Sequence, residues 1–392
     1  MNKLLFVLIT LLCFSLYTEK LYGIPAFARK YKMSCQTCHS PVPRLKAFGD
    51  EFAGNGFVLA DQDAPRYFVD TGDPELSLIR DFPIAVRLDA FVTYNNRDTK
   101  QTDFTVPYLL KLLSGGSLSD NIAYYFYAYL SERGEVVGVE DAYLMFNNLL
   151  GSELDLYIGQ FQVSDPLFKR EVRLTFEDYQ IYKVKVGNSN INLAYDRGIM
   201  LTYGFDTGTD VMFEVINGTG LGGANEWRNF DNDKYKSVFG RVTQDISDFL
   251  RVGVCGYMGN ENLEGLNDNM ITNEVKMFGP DVTLNFEDIV ELNIQYLQRT
   301  DAEVKHTDLI ASDTETKGLM AELIYTPQKD ESKWYGVGIF NWVDSDLAYL
   351  NYKTASAHLG YLLTRNIRLV SEITYNFTNK YMQAGIGFVS AF

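Results

Sequence analysis

Apolar and polar side chains alternate over long stretches of this chain, and this period of two restricts its fold more than any other feature. In residues 82–95, FPIAVRLDAFVTYN, apolar side chains occupy every second position, whereas Arg87 and Asp89 fall on the other face. Residues 290–298 and 366–377 alternate in the same way. Such a period predicts β-strands with one face against an apolar medium and the other against polar groups.

Two kinds of β-protein present strands of this type, a soluble sandwich and a transmembrane barrel. The alternating segments run for about 10–13 residues, which is long for a soluble strand and suits a tilted membrane crossing. Longer polar connections are expected at 219–233 and 300–316, and the chain ends on an alternating strand at Phe392. Aromatic residues make up 14% of the chain, as strands favour. We therefore predict an all-β fold, a transmembrane antiparallel β-barrel of about 16 strands within residues 82–392, with the soluble sandwich as the alternative.

The N-terminus has the pattern of an export signal. Lys3 precedes an apolar run from Leu4 to about Tyr17, which is too short to cross a bilayer comfortably. No run of eighteen or more apolar residues follows it, which excludes a helical membrane protein. We expect residues 1–23 to be a cleaved signal peptide, and the barrel to lie in the outer membrane of a Gram-negative bacterium, in contact with its lipid.

Charge is distributed unevenly along the chain. The formal net charge is −16, which excludes a general nucleic-acid-binding surface. Residues 24–60, here called the head, nevertheless hold five basic and two acidic residues. A polar connector, 61–81, joins the head to the acidic barrel. Opposite charge would hold the head inside the barrel, and an acidic lumen would concentrate cations, although acidic loops also serve ordinary solubility.

The head contains the run SCQTCH, residues 34–39, for which four interpretations compete. A zinc site needs a second pair of ligands, and the later candidates Cys255, His306 and His358 are isolated from one another. A redox dithiol would begin a helix after a buried strand, and no such pattern surrounds this run. A structural disulfide would leave the adjacent histidine unexplained. The remaining interpretation is covalently attached haem.

In the haem interpretation the three side chains have separate roles. Cys35 and Cys38 form thioethers to the haem vinyl groups, and His39 is placed to ligate the iron from the proximal side. The sequence therefore predicts one covalent haem c. Covalent attachment also suits an exported protein, because haem that is held without a covalent bond can be lost outside the cell.

The head resembles the N-terminus of the fused outer-membrane cytochrome–porins, the monohaem iron oxidases of iron-oxidising bacteria. The matching positions are Pro25, Phe27, Ala28, Arg29, Cys35, Cys38, His39, Pro43, Leu45, Phe48, Gly49, Phe52 and Gly56. Over the barrel the similarity is one of architecture only.

The resemblance implies a head that plugs a barrel of about sixteen strands. It also implies electron transfer from an extracellular donor, typically Fe(II), through the haem to a periplasmic c-type cytochrome or other carrier, that is, an Fe(II):cytochrome c oxidoreductase. Two alternatives stay open. One is a solute porin with a haem-bearing plug, and the other is outward electron transfer to extracellular acceptors.

The iron ligand opposite His39 is not defined by the motif. His358 lies on the polar face of an alternating segment, so we expect it to point into the lumen as a candidate distal ligand. His306 is expected to be solvated, and Met33 to be too close to Cys35 to reach the far side of the haem. The other methionines, Met145 among them, are expected in the core or against lipid, and Cys255 is expected to pack as a small apolar side chain.

One long connection interrupts the alternation. Residues 164–196, with the flanking phrases GQFQVSDPLF and DRGIML, resemble the loop that folds inward and narrows the channel of phosphate-selective porins. A long connection of this kind is usually functional. The stretch 177–186, EDYQIYKVKV, could instead be an ordinary strand.

Overall fold

The chain folds into a closed barrel of sixteen antiparallel strands, seen in a computed structural model. The structure describes residues 26–41, 44–59, 68–69, 71–73, 75–76, 78–80, 82–97, 101–136, 138–164 and 176–392. The barrel confirms the predicted all-β fold and strand number, and it excludes the soluble sandwich. The predicted signal peptide, 1–23, lies outside the described residues. Among those that are described, no helix is long and apolar enough to cross a membrane.

Three short helices precede the barrel in the described head, and two short strands form a separate small sheet in the connector. The helices are α1 Ala26–Tyr31, α2 Cys35–Cys38 and α3 Ala47–Gly54, and the connector strands are β1 Phe68–Val69 and β2 Leu78–Ile79.

Each barrel strand pairs with its neighbours in sequence, and β18 closes the barrel on β3. The barrel strands are β3 Ile84–Asn95, β4 Gln101–Ser119, β5 Ile122–Glu132, β6 Gly138–Leu149, β7 Leu154–Gln162, β8 Tyr195–Phe205, β9 Thr209–Ile216, β10 Ser237–Ser247, β11 Leu250–Glu264, β12 Met270–Phe286, β13 Val290–His306, β14 Leu309–Tyr325, β15 Trp334–Ser345, β16 Tyr352–Thr364, β17 Ile367–Asn376 and β18 Tyr381–Ala391.

The two faces of the strands have the reverse polarity of a soluble protein. On β16 the apolar side chains of Leu359, Tyr361 and Leu363 face outward and are 51%, 44% and 54% exposed. On β13 the polar Asn293 and Gln295 face inward and are buried. The alternation read from the sequence is therefore an apolar outer wall around a polar interior, as in barrels that face lipid.

The barrel has two distinct ends. The near end, where β3 begins and β18 finishes, has connections of eight residues at most, such as 326–333 and 365–366. The far end has the two long connections, 163–194 and 217–236. Phe392 lies at the near end, where its amide donates to the carbonyl of Val86.

One predicted connection was wrong. Residues 300–316 are not a long loop, because β13 continues to His306 and β14 begins at Leu309. The side chains there are polar on both faces, which hides the period of two. Main-chain pairing continues nonetheless, since Lys305 still pairs with Ile310.

Candidate functional site

The motif of the head forms a single helical turn, α2. The hydroxyl of Ser34 caps it by accepting from the amide of Gln36 at 3.4 Å, and the amide of His39 donates to the carbonyl of Cys35 at 2.9 Å. A spacing of three in a helical turn brings Cys35 and Cys38 onto one face, with His39 directly after the helix. Both thiols are free, so the structure contains no disulfide here.

The thiol chemistry disfavours a redox dithiol. Burial raises the pKa of both Cys35 and Cys38, which keeps the thiols protonated at neutral pH. A reactive dithiol needs the opposite, a thiol whose pKa is lowered. Among the described residues, no group of three or more His, Cys, Asp and Glu side chains could hold a metal ion, so nothing there supports the zinc interpretation.

Helix α3 packs closely against α2. The amide of Lys46 donates to the carbonyl of Cys38 at 2.9 Å, and His39 forms a β-bridge with Leu45. Gly49 makes the approach possible: a Cβ there would lie 2.3 Å from the Cys38 carbonyl oxygen. The glycine at this position is therefore a packing requirement of the motif.

Substitution of Gly49 by alanine is expected to force α2 and α3 apart, because the Cys38 carbonyl belongs to the backbone and cannot move aside. We expect trypsin to cleave the head of Gly49→Ala at least ten times faster than that of the wild type, as seen on gels. Gly54→Ala is the matched control: it lies in the same helix with no atom within 4 Å of its new Cβ. Equal cleavage of the two variants would contradict this account of the packing.

The described part of the head packs around a cluster of aromatic side chains. Phe27 stacks on Phe57 at 4.6 Å between ring centroids, and Phe52 meets both rings edge-on. Cys38 belongs to this buried cluster, as does Met145 of barrel strand β6. The cluster thus joins the motif to the inner wall of the barrel.

The head contacts one wall of the barrel through apolar groups. Phe57 stacks on Tyr125 of β5 with ring centroids 5.7 Å apart. Gly56, with φ +69°, lies so close to the wall that a Cβ would be 2.7 Å from the Cβ of Ala123 and 2.5 Å from the side-chain nitrogen of Asn147.

The opposite wall is contacted through charge. Arg44 forms an ion pair with Glu291 of β13, and Lys46 forms one with Asp330 at 2.5 Å. Burial alone would raise the pKa of the Asp330 carboxyl, but hydrogen bonds from Lys46 and Ser40 hold it below its usual range. Strands β5 and β13 have seven strands between them in either direction, so the head reaches diametrically opposite walls at the near end.

The chemistry of the motif fits covalent haem. Two free thiols one turn apart and an adjacent imidazole are the donor set that attachment and proximal ligation need. The aromatic cluster supplies apolar surface beside them. The side-chain oxygen of Asn147 is also buried between the head and β6 without a hydrogen-bond partner among the described residues, and buried acceptors of this kind normally meet a donor.

His358 faces the interior, where its ring is 7% exposed. Its Nδ1 lies 3.4 Å from a carboxylate oxygen of Glu372, and its ring stacks with that of Tyr335 at 5.9 Å. No hydrogen bond, ion pair or ring contact among the described residues joins it to the head, so its role as distal ligand stays a prediction. His306 lies at the far end and stacks on Tyr349 at 4.2 Å.

The connection between β7 and β8 folds into the barrel. Its described part, 176–194, here called the inward segment, contains a short 3-10 turn at Gln180–Tyr182 and no strand. Tyr179, Tyr182 and Ile191 are buried in one cluster with side chains of the barrel wall. A cavity of about 20 Å³ remains between the segment and the wall, which is room for about one water molecule.

One end of the inward segment is anchored by carboxylates. Glu177 accepts hydrogen bonds from the hydroxyls of Tyr352 and Thr354 at 2.8 and 3.0 Å. Burial raises the pKa of Glu177, although these bonds oppose the shift. The amide of Phe176 donates to Glu372 at 2.8 Å, so the carboxylate that lies next to His358 also holds the segment.

The other end is held by a buried arginine. Arg299 of β13 donates to the carbonyl of Ile191 at 2.6 Å and to the hydroxyl of Ser189 at 2.8 Å. Its charge is balanced by Asp301 through two bonds of 2.7 Å, and both side chains are almost wholly buried. This bidentate pair is the most completely desolvated ion pair that the described residues contain.

Solved structures with a similar barrel are known. The chain is similar to OmpTΔL8, an outer-membrane protein of Vibrio cholerae, with 14% identity over 80% of this chain and 99% of that one and a TM-score of 0.53. It is similar to the outer-membrane channel DcaP of Acinetobacter baumannii, with 13% identity, coverage of 80% and 97%, and a TM-score of 0.54. It is also similar to OmpF of Salmonella typhi, with 10% identity, coverage of 79% and 97%, and a TM-score of 0.56. The chain has a porin fold.

At these identities the likeness extends to the fold alone. No protein-family model matches the chain, and no curated protein does. The function of this porin-fold barrel must therefore be argued from its own residues.

Sequence reasoning missed the residues that join the parts of the porin fold. Glu291 and Asp330, which pair with the head, and Arg299, which holds the inward segment, were not singled out. Arg299 and Asp301 carried a usable signal, since an opposite-charge pair two residues apart on a strand lies on one face.

Proposed function

We propose that this chain is an outer-membrane cytochrome–porin, a porin-fold barrel whose head carries one covalent haem c and conducts electrons across the outer membrane. The observation that carries the proposal is the position of Cys35, Cys38 and His39 in a helical turn that packs into the near end of a closed barrel. A soluble cytochrome would need no barrel, and a simple porin would need no such motif.

In this proposal Cys35 and Cys38 hold the haem through thioethers, and His39 ligates its iron. Bound haem supplies one-electron redox chemistry at the iron. The residues of the chain fix where that chemistry takes place. The Phe57 contact with Tyr125 and the Arg44 pair with Glu291 hold the head against two walls, and the aromatic cluster buries Cys38.

The outer membrane follows from the outward apolar face, which would be in contact with lipid. The neighbours in fold are described as outer-membrane proteins, and a cleaved signal at 1–23 would serve export. Barrels of this kind have short turns on the periplasmic side. The near end, with the head, would then face the periplasm.

The direction we propose is inward, from an extracellular donor such as Fe(II) to a periplasmic c-type cytochrome or other carrier. The formal charge of −16 favours the approach of a cation. A head at the near end is on the side where a periplasmic acceptor would dock. Outward transfer uses the same parts and differs only in the potentials of the partners.

A second candidate is a solute porin whose head is a haem-bearing plug. The polar interior and the porin fold favour it, as does the inward segment, which would narrow a channel. Planar-bilayer conductance distinguishes the two: a solute porin conducts small ions freely while haem is bound.

The first experiment is haem attachment. In a host that matures c-type cytochromes, the wild type is expected to give a c-type absorbance spectrum and a haem-stained band that survives denaturation. Cys35→Ser together with Cys38→Ser is expected to lose both completely. Cys255→Ser is the matched control, because Cys255 is buried in the barrel wall away from the head cluster. A wild type without covalent haem would overturn the proposal.

A further inference from the structure

We infer that Met145, on barrel strand β6, is the axial iron ligand opposite His39, so that the barrel completes the coordination of a haem carried by the head. This inference rests on the proposed function. It assigns to the wall of the barrel a role at the metal that the motif itself leaves open.

Met145 lies inside the barrel against the head. It is 2% exposed and shares one buried cluster with Cys38, Phe52 and Phe57. Its strand register pairs it with Ala123, the residue against which the head packs Gly56. Its thioether is therefore at the face of the barrel wall that the motif approaches.

The other candidate ligands are placed elsewhere. The chain has three histidines and ten methionines. His306 stacks on Tyr349 at the far end, and the ring of His358 is held by Glu372 and Tyr335. Four of the methionines, Met200, Met212, Met277 and Met320, belong to the cluster of the inward segment.

Met33 is the one other described methionine that packs against the head cluster. It immediately precedes Ser34, the cap of the turn that carries both thiols. Because a helix rises only about 1.5 Å per residue, Met33 stays within about one turn of the two thiols that would attach the haem. A ligand for the opposite face has to come from another part of the fold, and Met145 is the sulfur that the barrel supplies.

A second observation marks the same place. Asn147 follows Met145 on the same face of β6 and is 5% exposed, and its side-chain oxygen has no hydrogen-bond partner among the described residues. An unpartnered buried acceptor is costly. The boundary between the head and β6 thus presents a thioether ligand and an unused acceptor side by side.

Ligation of the iron by Met145 would make the reduction potential of the haem depend on whether the head is packed against the barrel wall. Methionine opposite histidine raises the reduction potential of a haem. An undocked head would lack the sixth ligand and have a lower potential. Only the assembled barrel would carry the potential suited to accepting electrons from a donor such as Fe(II).

The test uses full-length haem-loaded protein in detergent, with absorbance and electron paramagnetic resonance of the oxidised state. The wild type is expected to show the far-red charge-transfer band of methionine-ligated low-spin ferric haem. Met145→Leu is expected to keep its covalent haem, lose that band, become high-spin and shift to a lower potential. Leucine preserves the buried volume, and such swaps usually cost under about 1.5 kcal/mol.

Three further variants keep the test decisive. Met145→His is expected to give a bis-histidine low-spin spectrum that Met145→Leu, which keeps the same three natural histidines, does not give. Met33→Leu and Met200→Leu are expected to retain the wild-type band. A band that persists in Met145→Leu, or one that disappears in Met33→Leu instead, overturns the inference. Wild-type haem without any methionine band also overturns it and leaves the proposed function intact, whereas a wild type without covalent haem overturns the proposed function itself.

Discussion

Proteoliposomes containing the full-length protein are expected to reduce a redox dye trapped inside them when Fe(II) is added outside. The double variant Cys35→Ser/Cys38→Ser is expected to reduce the dye no faster than liposomes without protein. The reason is that electron passage through the proposed route requires a haem fixed to the head, and the two free thiols of α2 would be its attachment points. Dye absorbance followed over time measures the rate.

The variant also controls for leakage. It keeps the barrel, so any Fe(II) that enters through the lumen and reduces the dye directly is the same in both preparations. Cys255→Ser should match the wild type. If wild type and double variant reduce the dye at equal rates, the dye is reached by diffusion, and the protein is a porin for Fe(II) rather than an electron carrier. If only a donor on the side of the near end reduces acceptors on the other side, the direction is outward.

Replacement of Arg299 by alanine is expected to have the largest effect on the barrel itself. It would leave Asp301 buried without its counter-charge and remove three hydrogen bonds to the inward segment. Removing one partner of a buried ion pair lowers the free energy of unfolding by about 3–5 kcal/mol. We expect a lower temperature for heat-induced unfolding on gels, proteolysis within 176–194, and a higher single-channel conductance.

Two variants separate stability from anchoring. Arg299→Met/Asp301→Asn removes both charges while keeping an acceptor for Asn273, which donates to Asp301 at 2.9 Å. We expect it to recover most of the free energy of unfolding but not the low conductance, since the bonds to Ile191 and Ser189 stay lost. Arg251→Ala breaks the exposed pair with Asp210 and is expected to change stability by less than about 1 kcal/mol. Wild-type conductance in Arg299→Ala would mean that the position of the inward segment does not depend on its hydrogen bonds with Arg299.

The barrel could be predicted because its determinant is local. A period of two depends only on which side chains within a single strand are apolar and which are polar. The alternation predicted for 290–298 appears in the structure as the burial of Asn293 and Gln295. Strand ends were harder to predict. Where both faces turn polar, as near His306, hydrogen bonding between main chains continues without any pattern in the side chains to reveal it.

The partners of the motif could not be predicted for a different reason. Cys35, Cys38 and His39 are close together in the chain, whereas Glu291 is more than two hundred residues away and meets Arg44 only because β13 lies opposite β5 in the closed barrel. Met145 illustrates the same limit: its sequence neighbours indicate a buried or lipid-facing strand position. Only the register of β5 and β6 brings it to the head.

The contacts of the head with opposite walls also set an order for biogenesis. The head precedes the barrel in the chain, yet one of its two walls is built from β13 and the turn that follows β14, more than two hundred residues later. The head therefore cannot complete its contacts until β13 and the turn after β14 are in place, and once the barrel has closed its wall surrounds the motif. Enzymes that attach a prosthetic group need open access to both thiols. In the proposed cytochrome–porin, haem attachment to the head would therefore have to precede insertion of the barrel, and a barrel that closed around a head without haem could not be loaded afterwards.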